Sequence, residues 1–581
     1  LSPGGLINFV TKRPDRDLRS IGFGIGEKGS FSQYADYSQA LTSEKPFGFR
    51  INAAHEDYHP YVKEATGYRN FFSLAADAKF SKDTKLETDF EYQRKSQFSV
   101  PGYQLLGDNT LPPIDPFRHL TANQTWAKPV ASNQINFGAR LSTEINSNWK
   151  AQFGYQFSQI KTDDNLAFPW GDATLLGGWS ASQGYPINSN HFSNNGTFVI
   201  YDFRSLNELR NNQEITSELI GNIQTTEATH KLRFGISFQT RKISQPNYLN
   251  DCAGSSYCIT STGNIQSYAT NYGNSTGSFI DFFHYSNNQK SIYINDQIIS
   301  DKYLKNFVIY LGSRFVSLSE DWANNYYFTT GNPKKNIWLP TLGISYLGNQ
   351  NAMQYFSYSK GLEIGTMAPL IATNYGSQLP PRVTEQYEIG TKHVINSKLQ
   401  ASLATFHISK SYEYTQQTAS YYGDYIQAGK EIHQGIEASV AGQLTSTVSL
   451  NASAMLIRTK IEGTNDLFDG KSAPNVPSFA SNIFVIHKIP SIEGLALNYT
   501  VRYIAPKYAN RENSARVPGY TRLDLGITEL KKTNMGLFTI RMGVENIFDK
   551  RYWADTPEFM GDTYLIPGAP RIFRATAKLD F

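Results

Sequence analysis

Apolar and polar side chains alternate over the last residues of the chain. Every second position is apolar: Phe573, Ala575, Ala577, Leu579 and Phe581. The positions between them are polar: Arg574, Thr576, Lys578 and Asp580. Successive side chains of a β-strand point to opposite faces. The segment therefore predicts a strand with one apolar face and one charged face.

The same alternation recurs between turns along the whole chain, with almost no helical periodicity. It marks about 22 segments from residue 18 to the C-terminus, and single-chain bacterial barrels have an even number of strands. A soluble sheet can alternate in this way too, but a closed sheet is one of only two structures that span a bilayer. The pattern predicts an all-β fold, a transmembrane antiparallel β-barrel of about 22 strands.

The connections between these segments alternate in length. Every second one is short and polar, as at 43–46, 81–84, 146–148 and 531–534. Most of the others are long: 98–130, 163–212, 243–286, 319–335, 362–381 and 549–567. Short turns on one rim and long loops on the other are typical of outer-membrane barrels. We therefore expect the short turns to face the periplasm and the long loops to face outside.

Composition mainly excludes other classes of protein. Mean hydropathy is −0.42, and no apolar run reaches the roughly 18 residues of a membrane helix. The net charge of +4 over 581 residues gives no case for a nucleic-acid partner. Aromatic residues make up 14% of the chain. A passive porin of 16–18 strands is the alternative from another class, and the larger strand number argues against it.

Several motifs resemble those of TonB-dependent outer-membrane receptors of the siderophore type. Ser2 to Pro14 is similar to the closing segment of the family's plug domain, and Glu385 to Lys392 to its mid-barrel signature. Later markers follow in order: Gly435 to Glu437, Ala473 to Pro477, Val517 to Tyr520, Val544 to Tyr552, and Pro570 to Phe581. The resemblance implies that residues 1–17 end a plug domain and residues 18–581 form the barrel. Because the chain opens in the middle of a motif, we expect more of the plug upstream.

The resemblance also implies a function. Such a receptor imports a ferric siderophore across the outer membrane of a Gram-negative bacterium. TonB, with ExbB and ExbD, supplies the energy through an N-terminal box. The protein is then a monomer in outer-membrane lipid, inserted by the barrel assembly machinery, and not an enzyme. It binds no metal or cofactor directly, because the siderophore holds the iron. The same architecture also serves other metallophores, haem or cobalamin.

Aromatic residues in the expected long loops are the best candidates for ligand contacts. They offer large contact area and a hydrogen-bonding group at little entropic cost. We select five, with no catalytic residue and no metal ligand among them: Tyr103, Trp170, Trp322, Tyr326 and Tyr375. The alternative for each is the aromatic girdle that anchors a barrel at the membrane interface.

Two further features have structural interpretations. Cys252 and Cys258, the only cysteines, lie in one expected outer loop. They fit a disulfide that braces the loop, although two free thiols are the alternative. Phe581 is an aromatic C-terminus on the strand that must pair with the first one, and it is predicted to be an assembly signal.

Three short motifs suggest other chemistry, and their contexts argue against it. Gly24 to Gly29 fits a dinucleotide-binding pattern, but an alternating strand follows where a helix is needed. His55 to His59 fits a zinc-protease pattern, but it ends a strand before Pro60. Gly273 to Gly277 fits a nucleophile elbow, but it lies in a polar loop tract without the required helix.

Overall fold

The computed structural model describes most of the chain. The described residues are 10–42, 46–107, 109–117, 124, 126–172, 191–252, 262–265, 277–300, 304–325, 329–349, 351–369, 372–417, 422–559 and 562–581. Within them the chain has no helix of the length and apolarity that a membrane crossing requires.

The described residues form 22 long strands of one antiparallel sheet. The first eleven are β1 Leu18–Ile25, β2 Phe31–Gln39, β3 Phe47–Tyr58, β4 Gly67–Lys79, β5 Thr84–Gln97, β6 Val130–Asn146, β7 Trp149–Trp170, β8 Thr197–Gln224, β9 Ala228–Gln245, β10 Phe283–Ser300 and β11 Phe307–Asn324. The others are β12 Lys334–Asn349, β13 Ala352–Glu363, β14 Arg382–Asn396, β15 Leu399–Gln417, β16 Tyr422–Gln443, β17 Val448–Glu462, β18 Phe479–Lys488, β19 Leu495–Ile504, β20 Tyr520–Thr533, β21 Gly536–Glu545 and β22 Ile572–Asp580.

The sheet closes on itself through its last strand. β22 pairs with β21 on one side and with β1 on the other, where Phe23 faces Ala577 and Ile21 faces Leu579. A closed sheet leaves no strand edge unpaired, which a membrane-spanning structure requires. The predicted barrel of about 22 strands, and the predicted strand at its C-terminus, are confirmed.

The two faces of the wall differ as the alternation predicts. Ile527 of β20 faces Met542 of β21, and these outward side chains are 46% and 55% exposed. Inward side chains are polar and paired: Arg50 of β3 donates to both carboxylate oxygens of Asp36 of β2, at 2.9 and 2.7 Å. The outer face thus suits lipid and the inner face an aqueous or polar filling.

The segment before β1 lies against this inner face. Arg13 donates to the carbonyl of Ala76 at 2.8 Å and pairs with Asp77, next to the end of β4. The carbonyl of Arg13 in turn accepts a bond from Arg50 at 3.3 Å. Residues 10–17 are therefore held inside the barrel near the rim of short turns. The division of the chain at residue 17 stays a prediction.

The rim of short turns, here called the short-turn rim, is built from tight hairpins. Gly536 between β20 and β21 has φ +135°, and a Cβ atom there would lie 2.0 Å from the carbonyl oxygen of Asp580. Only glycine can adopt this conformation at this distance. The opposite rim, the long-loop rim, carries the long connections.

Parts of the long connections form strands of their own. Asn247–Cys252 and Thr262–Asn264 pair with β8, and Thr329–Gly331 pairs with β11. Lys507–Tyr508 pairs with Arg516–Val517, Trp553–Asp555 with Ile566–Pro567, and Glu558–Phe559 with Asp562–Thr563.

The prediction that residues 163–212 form a loop is wrong at both ends. β7 continues to Trp170, and β8 begins at Thr197. The two strands pair along this extension, as between Phe168 and Tyr201. Phe198, Val199 and Ile200 are buried in succession, because loops cover both faces of the sheet there. The alternating signal is lost where both faces are buried.

Candidate functional site

A cavity of about 610 Å³ lies at the long-loop rim. Its walls come from the upper ends of β8, β9, β15 and β16 and from the connections around residues 366–375, 473–475, 511 and 556–558. Six aromatic side chains line it: Phe203, Tyr248, Phe282, Tyr375, Tyr412 and Tyr425. A volume of this size suits a small organic ligand or complex.

One wall of the cavity is a stack of aromatic rings. Tyr248 and Phe282 lie parallel with centroids 4.0 Å apart, and Phe203 meets Tyr248 edge-on at 5.5 Å. Trp322 belongs to the same buried cluster. Its indole nitrogen is buried and has no hydrogen-bond partner among the described residues. Packed rings of this kind give a rigid apolar surface.

Tyr412 lines the cavity and carries a buried polar atom. Its ring lies 5.7 Å from Tyr414, 6.2 Å from Phe468 and 5.4 Å from the Arg511 guanidinium carbon. Its hydroxyl is buried, and within the described part of the chain nothing accepts or donates a hydrogen bond to it. Buried polar atoms normally have partners. A hydroxyl without one at a cavity wall is therefore a candidate ligand contact.

The charged groups of the cavity are paired with one another. The Arg511 Nη2 donates to the Glu558 carboxylate at 2.6 Å, and its Nη1 donates to the Glu413 carbonyl at 2.8 Å. Burial works to lower the pKa of Arg511, but the Glu558 carboxylate outweighs it and holds that pKa above its ordinary value. Arg511 therefore stays charged and fixed to its partner.

The two other cations of the cavity have partners on neighbouring strands. Arg382 pairs with Glu363 at 3.2 Å and with Glu413 at 3.5 Å. Lys410 pairs with Glu431 at 3.3 Å. These pairs span β13 to β16, so they also fix the upper ends of four strands relative to one another.

Asn475 joins three connections at the cavity wall. Its side-chain oxygen accepts bonds from Lys507 Nζ at 2.6 Å and Thr556 Oγ1 at 2.9 Å, and its amide donates to Asp555 at 2.7 Å. Asn475 has φ +63°, a conformation that asparagine tolerates better than most residues. Burial lowers the pKa of Lys507. The amide thus solvates a buried ammonium group and holds the loops together.

The connection that carries Tyr375 is fixed to β16. Asn374 accepts a bond from the backbone N–H of Tyr425 at 2.7 Å and donates to the Tyr425 carbonyl at 3.0 Å. The backbone N–H of Thr373 donates to the Gly423 carbonyl at 3.1 Å. This two-way bonding positions Tyr375 at the edge of the cavity.

The five predicted ligand contacts are distributed over two regions. Tyr375 lines the cavity, and Trp322 lies in the aromatic cluster of its wall. Trp322 was expected in a loop, but it belongs to β11, which pairs as far as Asn324. Tyr326 lies outside the described residues. Contact with a ligand stays a prediction for all five.

Tyr103 and Trp170 lie in the second region, around the connection between β21 and β22. The backbone N–H of Tyr103 donates to the Leu565 carbonyl at 2.8 Å, and its ring meets Trp553 edge-on at 5.7 Å. Trp170 packs 6.4 Å from Tyr564. Both residues hold the hairpin at 553–567 in place.

The sequence did not predict three features of the site: Tyr412 in the cavity lining, the hydrogen bonds of Asn475, and the ion pair of Arg511 with Glu558. One signal was available: the alternation of Ser411 to Tyr414 continues beyond residue 411, where the strand was expected to end. The pairing of Arg511 with Glu558, 47 residues apart, has no local signature.

The remaining sequence predictions have mixed outcomes. His55 to Tyr58 lie in β3, and the His55 Nδ1 is 2.7 Å from Asn70 Oδ1, so no helix carries the histidines. Cys252 ends a strand and Cys258 lies outside the described residues, so the disulfide stays a prediction. The backbone N–H of Phe581 donates to the Arg19 carbonyl at 2.9 Å, which joins the chain end to β1. Its role as an assembly signal stays a prediction.

The closed sheet, its apolar outer face and its polar inner face define a transmembrane β-barrel with a ligand-sized cavity at one rim. Residues 67–547 match the family model described as TonB dependent receptor-like, beta-barrel. The chain belongs to this family, and its location is the outer membrane of a Gram-negative bacterium. The family is one of receptors and transporters.

Two curated relatives resemble the chain over its whole length. The ferrichrome outer membrane transporter/phage receptor of Escherichia coli (strain K12) is 22% identical, over 100% of this chain and 76% of its own. The ferrichrome receptor FcuA of Yersinia enterocolitica is 22% identical, over 100% and 73%. Among solved structures, the ferric preacinetobactin receptor BauA of Acinetobacter baumannii has a TM-score of 0.81 at 19% identity, covering 98% of this chain and 80% of its own. That likeness shows the fold.

Proposed function

We propose that this protein is a TonB-dependent receptor that imports a ferric siderophore across the outer membrane. The observation that carries the proposal is the cavity at the long-loop rim, which six aromatic side chains line. One of them, Tyr412, has a buried hydroxyl without a partner among the described residues. A ligand that enters from outside meets this rim first. The names of the relatives, two of them ferrichrome receptors, support the same class of ligand.

The proposed mechanism makes and breaks no covalent bond. The siderophore supplies all the ligands of the iron, and the protein supplies shape, aromatic surface and hydrogen bonds. Residues 1–17 are the end of a plug that fills the barrel, and the bonds of Arg13 to the inner wall support this assignment. Energy arrives from TonB, with ExbB and ExbD, through the TonB box that the family resemblance implies. The receptor works as a monomer in outer-membrane lipid, is placed there by the barrel assembly machinery, and has no nucleic-acid partner.

Ligand titration of the full-length receptor tests the proposal. The purified protein is titrated with ferrichrome, ferrioxamine B, ferric enterobactin, haem and cobalamin while its tryptophan fluorescence is followed. We expect saturable binding of at least one ferric siderophore. Binding of haem or cobalamin alone would replace the ligand class, and binding of none of the five would contradict the proposal.

Tyr412→Phe locates the site. It removes the hydroxyl and keeps the ring, so binding should weaken by about 0.5–1.5 kcal/mol, the usual contribution of one hydrogen bond. Tyr414→Phe is the matched control, because Tyr414 is the stacked neighbour of Tyr412 and does not line the cavity. Equal affinity of both variants and the parent would place the ligand elsewhere.

A further inference from the structure

The charges that line the cavity cancel. Three cationic side chains face it, Arg382, Lys410 and Arg511, and three carboxylates accompany them: Glu413, Glu431 and Glu558. Each cation has a carboxylate partner within 3.5 Å among the described residues. Among the described residues, no lining cation is therefore left to neutralise an incoming anion.

Two tracts that flank strands of the cavity wall along the sequence carry no formal charge. Residues 173–201 and 252–280 contain no Asp, Glu, Lys or Arg. They are rich in Asn, Ser, Thr, Gly and Tyr, which offer hydrogen bonds and aromatic surface without net charge. The strands at Thr197 and Asn247, which bound these tracts, continue directly into the cavity wall through Phe203 and Tyr248.

We propose that the cavity selects ferric complexes without net charge and rejects polyanionic ones, with Glu558 as a residue that determines this specificity. The inference rests on the proposed function and names its ligand class. An iron(III) ion bound by three hydroxamates is neutral, whereas one bound by three catecholates is a trianion. Burying an anion without unpaired cations leaves its desolvation uncompensated. A neutral complex meets aromatic rings and uncharged donors instead.

Glu558 is the carboxylate partner of Arg511, and removing its charge changes the net charge of the cavity lining. Its carboxylate accepts two bonds from Arg511, at 2.5 and 2.6 Å, and both residues line the cavity. Glu558→Gln keeps the shape of the side chain and removes its charge. The guanidinium then carries an uncompensated positive charge that faces the ligand, so binding of a trianion should improve.

The test measures dissociation constants of the full-length receptor for ferrichrome, a neutral tris-hydroxamate, and for ferric enterobactin, a trianionic tris-catecholate. The parent should bind the neutral complex at least about tenfold more tightly, because the lining offers the trianion no unpaired cation. Glu558→Gln should reduce that ratio by about fivefold or more. Because the Arg511 side chain is only 15% exposed, added salt should reverse only part of the gain.

Two further variants separate charge from structure. Arg511→Gln/Glu558→Gln restores neutrality without the ion pair and should return the ratio toward that of the parent. Glu512→Gln, next to Arg511 but exposed and outside the cavity lining, should leave the ratio unchanged. If Glu558→Gln does not fold, as judged by heat-modifiable electrophoretic mobility, Glu431→Gln is used to free Lys410 instead.

The outcomes distinguish the two proposals. Equal or tighter binding of the trianion by the parent overturns the charge inference and leaves siderophore import standing. An unchanged ratio in a folded Glu558→Gln or Glu431→Gln protein overturns it as well. Failure of every ferric complex to bind overturns the proposed function itself.

Discussion

Replacing Asn475 with alanine should make the connections that it joins at the cavity wall open more often, while leaving the barrel intact. The substitution removes the acceptor of Lys507 and Thr556 and the donor to Asp555. The Lys507 side chain is only 6% exposed, and its remaining carboxylate, Asp555, is 3.9 Å away. The ammonium would therefore stay buried with poor compensation unless the loop opened.

The size of the effect follows from two contributions. A hydrogen bond to a charged group contributes about 1.5–3 kcal/mol. Alanine at φ +63° adds about 1–2 kcal/mol of backbone strain that asparagine largely avoids. Together they lower the local free energy of opening by about 2.5–5 kcal/mol. Asn475→Gly tolerates the backbone conformation and should show only the first contribution.

Hydrogen exchange followed by mass spectrometry measures this directly. Peptides from 505–517 and 553–557 should exchange at least about fiftyfold faster in Asn475→Ala, since each 1.4 kcal/mol corresponds to a factor of ten. Peptides from β18 and β19 should be unchanged. Asn475→Ala/Lys507→Met, which also removes the buried charge, should recover part of the protection.

The pH dependence gives an independent check of the same reasoning. Burial lowers the pKa of Lys507 in the folded state below its ordinary 10.5. At a pH between the pKa of Lys507 in the closed loop and its ordinary pKa, the opened loop binds more protons than the closed loop. Closure is therefore favoured as pH rises. The defect of Asn475→Ala should therefore shrink as pH rises toward 10.5. Unchanged exchange in both loops, or a uniform increase along the chain, would refute the account.

Three other predictions concern the barrel and the ligand. Leu525→Arg, on the lipid face of β20, should lower the free energy of unfolding by about 2–4 kcal/mol in urea unfolding from vesicles. Thr528→Arg, on the lumenal face, should lower it less. Equal losses of stability would mean that the faces are assigned wrongly. Phe581→Ala should lower the amount of heat-modifiable receptor in the outer membrane, and normal levels would exclude an assembly role. Alanine at a true ligand contact should weaken siderophore binding by about 1–3 kcal/mol without loss of folding. The five positions to test are Tyr103, Trp170, Trp322, Tyr326 and Tyr375. Parental affinity in all five variants would place the ligand elsewhere.

The architecture could be predicted because lipid on one face and a polar interior on the other impose a period of two. Phe573 to Phe581 show it plainly, and the observed strand Ile572–Asp580 pairs on both sides as expected. The prediction failed where that contrast ends. At Phe198 to Ile200 protein covers both faces, and the strand is invisible to the alternation although its pairing continues.

The cavity could be predicted only in part. Aromatic enrichment of the long connections pointed to Tyr375 and Trp322, which lie at or beside it. The same criterion selected Tyr103 and Trp170, which secure the hairpin at 553–567 instead. Composition cannot say which loop residues converge, because Tyr412, Asn475, Arg511 and Glu558 are far apart in sequence and meet only at the long-loop rim. The charge balance of the lining depends on that convergence as well.

Uptake of radiolabelled ferric siderophore by cells tests the central claim most directly. The full-length receptor is expressed in a Gram-negative host that lacks its own siderophore receptors, with and without TonB, using the ferric complex that binds the purified protein. We expect uptake that requires both the receptor and TonB and that stops when a protonophore collapses the proton-motive force. Uptake that continues without TonB, and that admits unrelated solutes of similar size equally well, would show a passive channel and contradict the account.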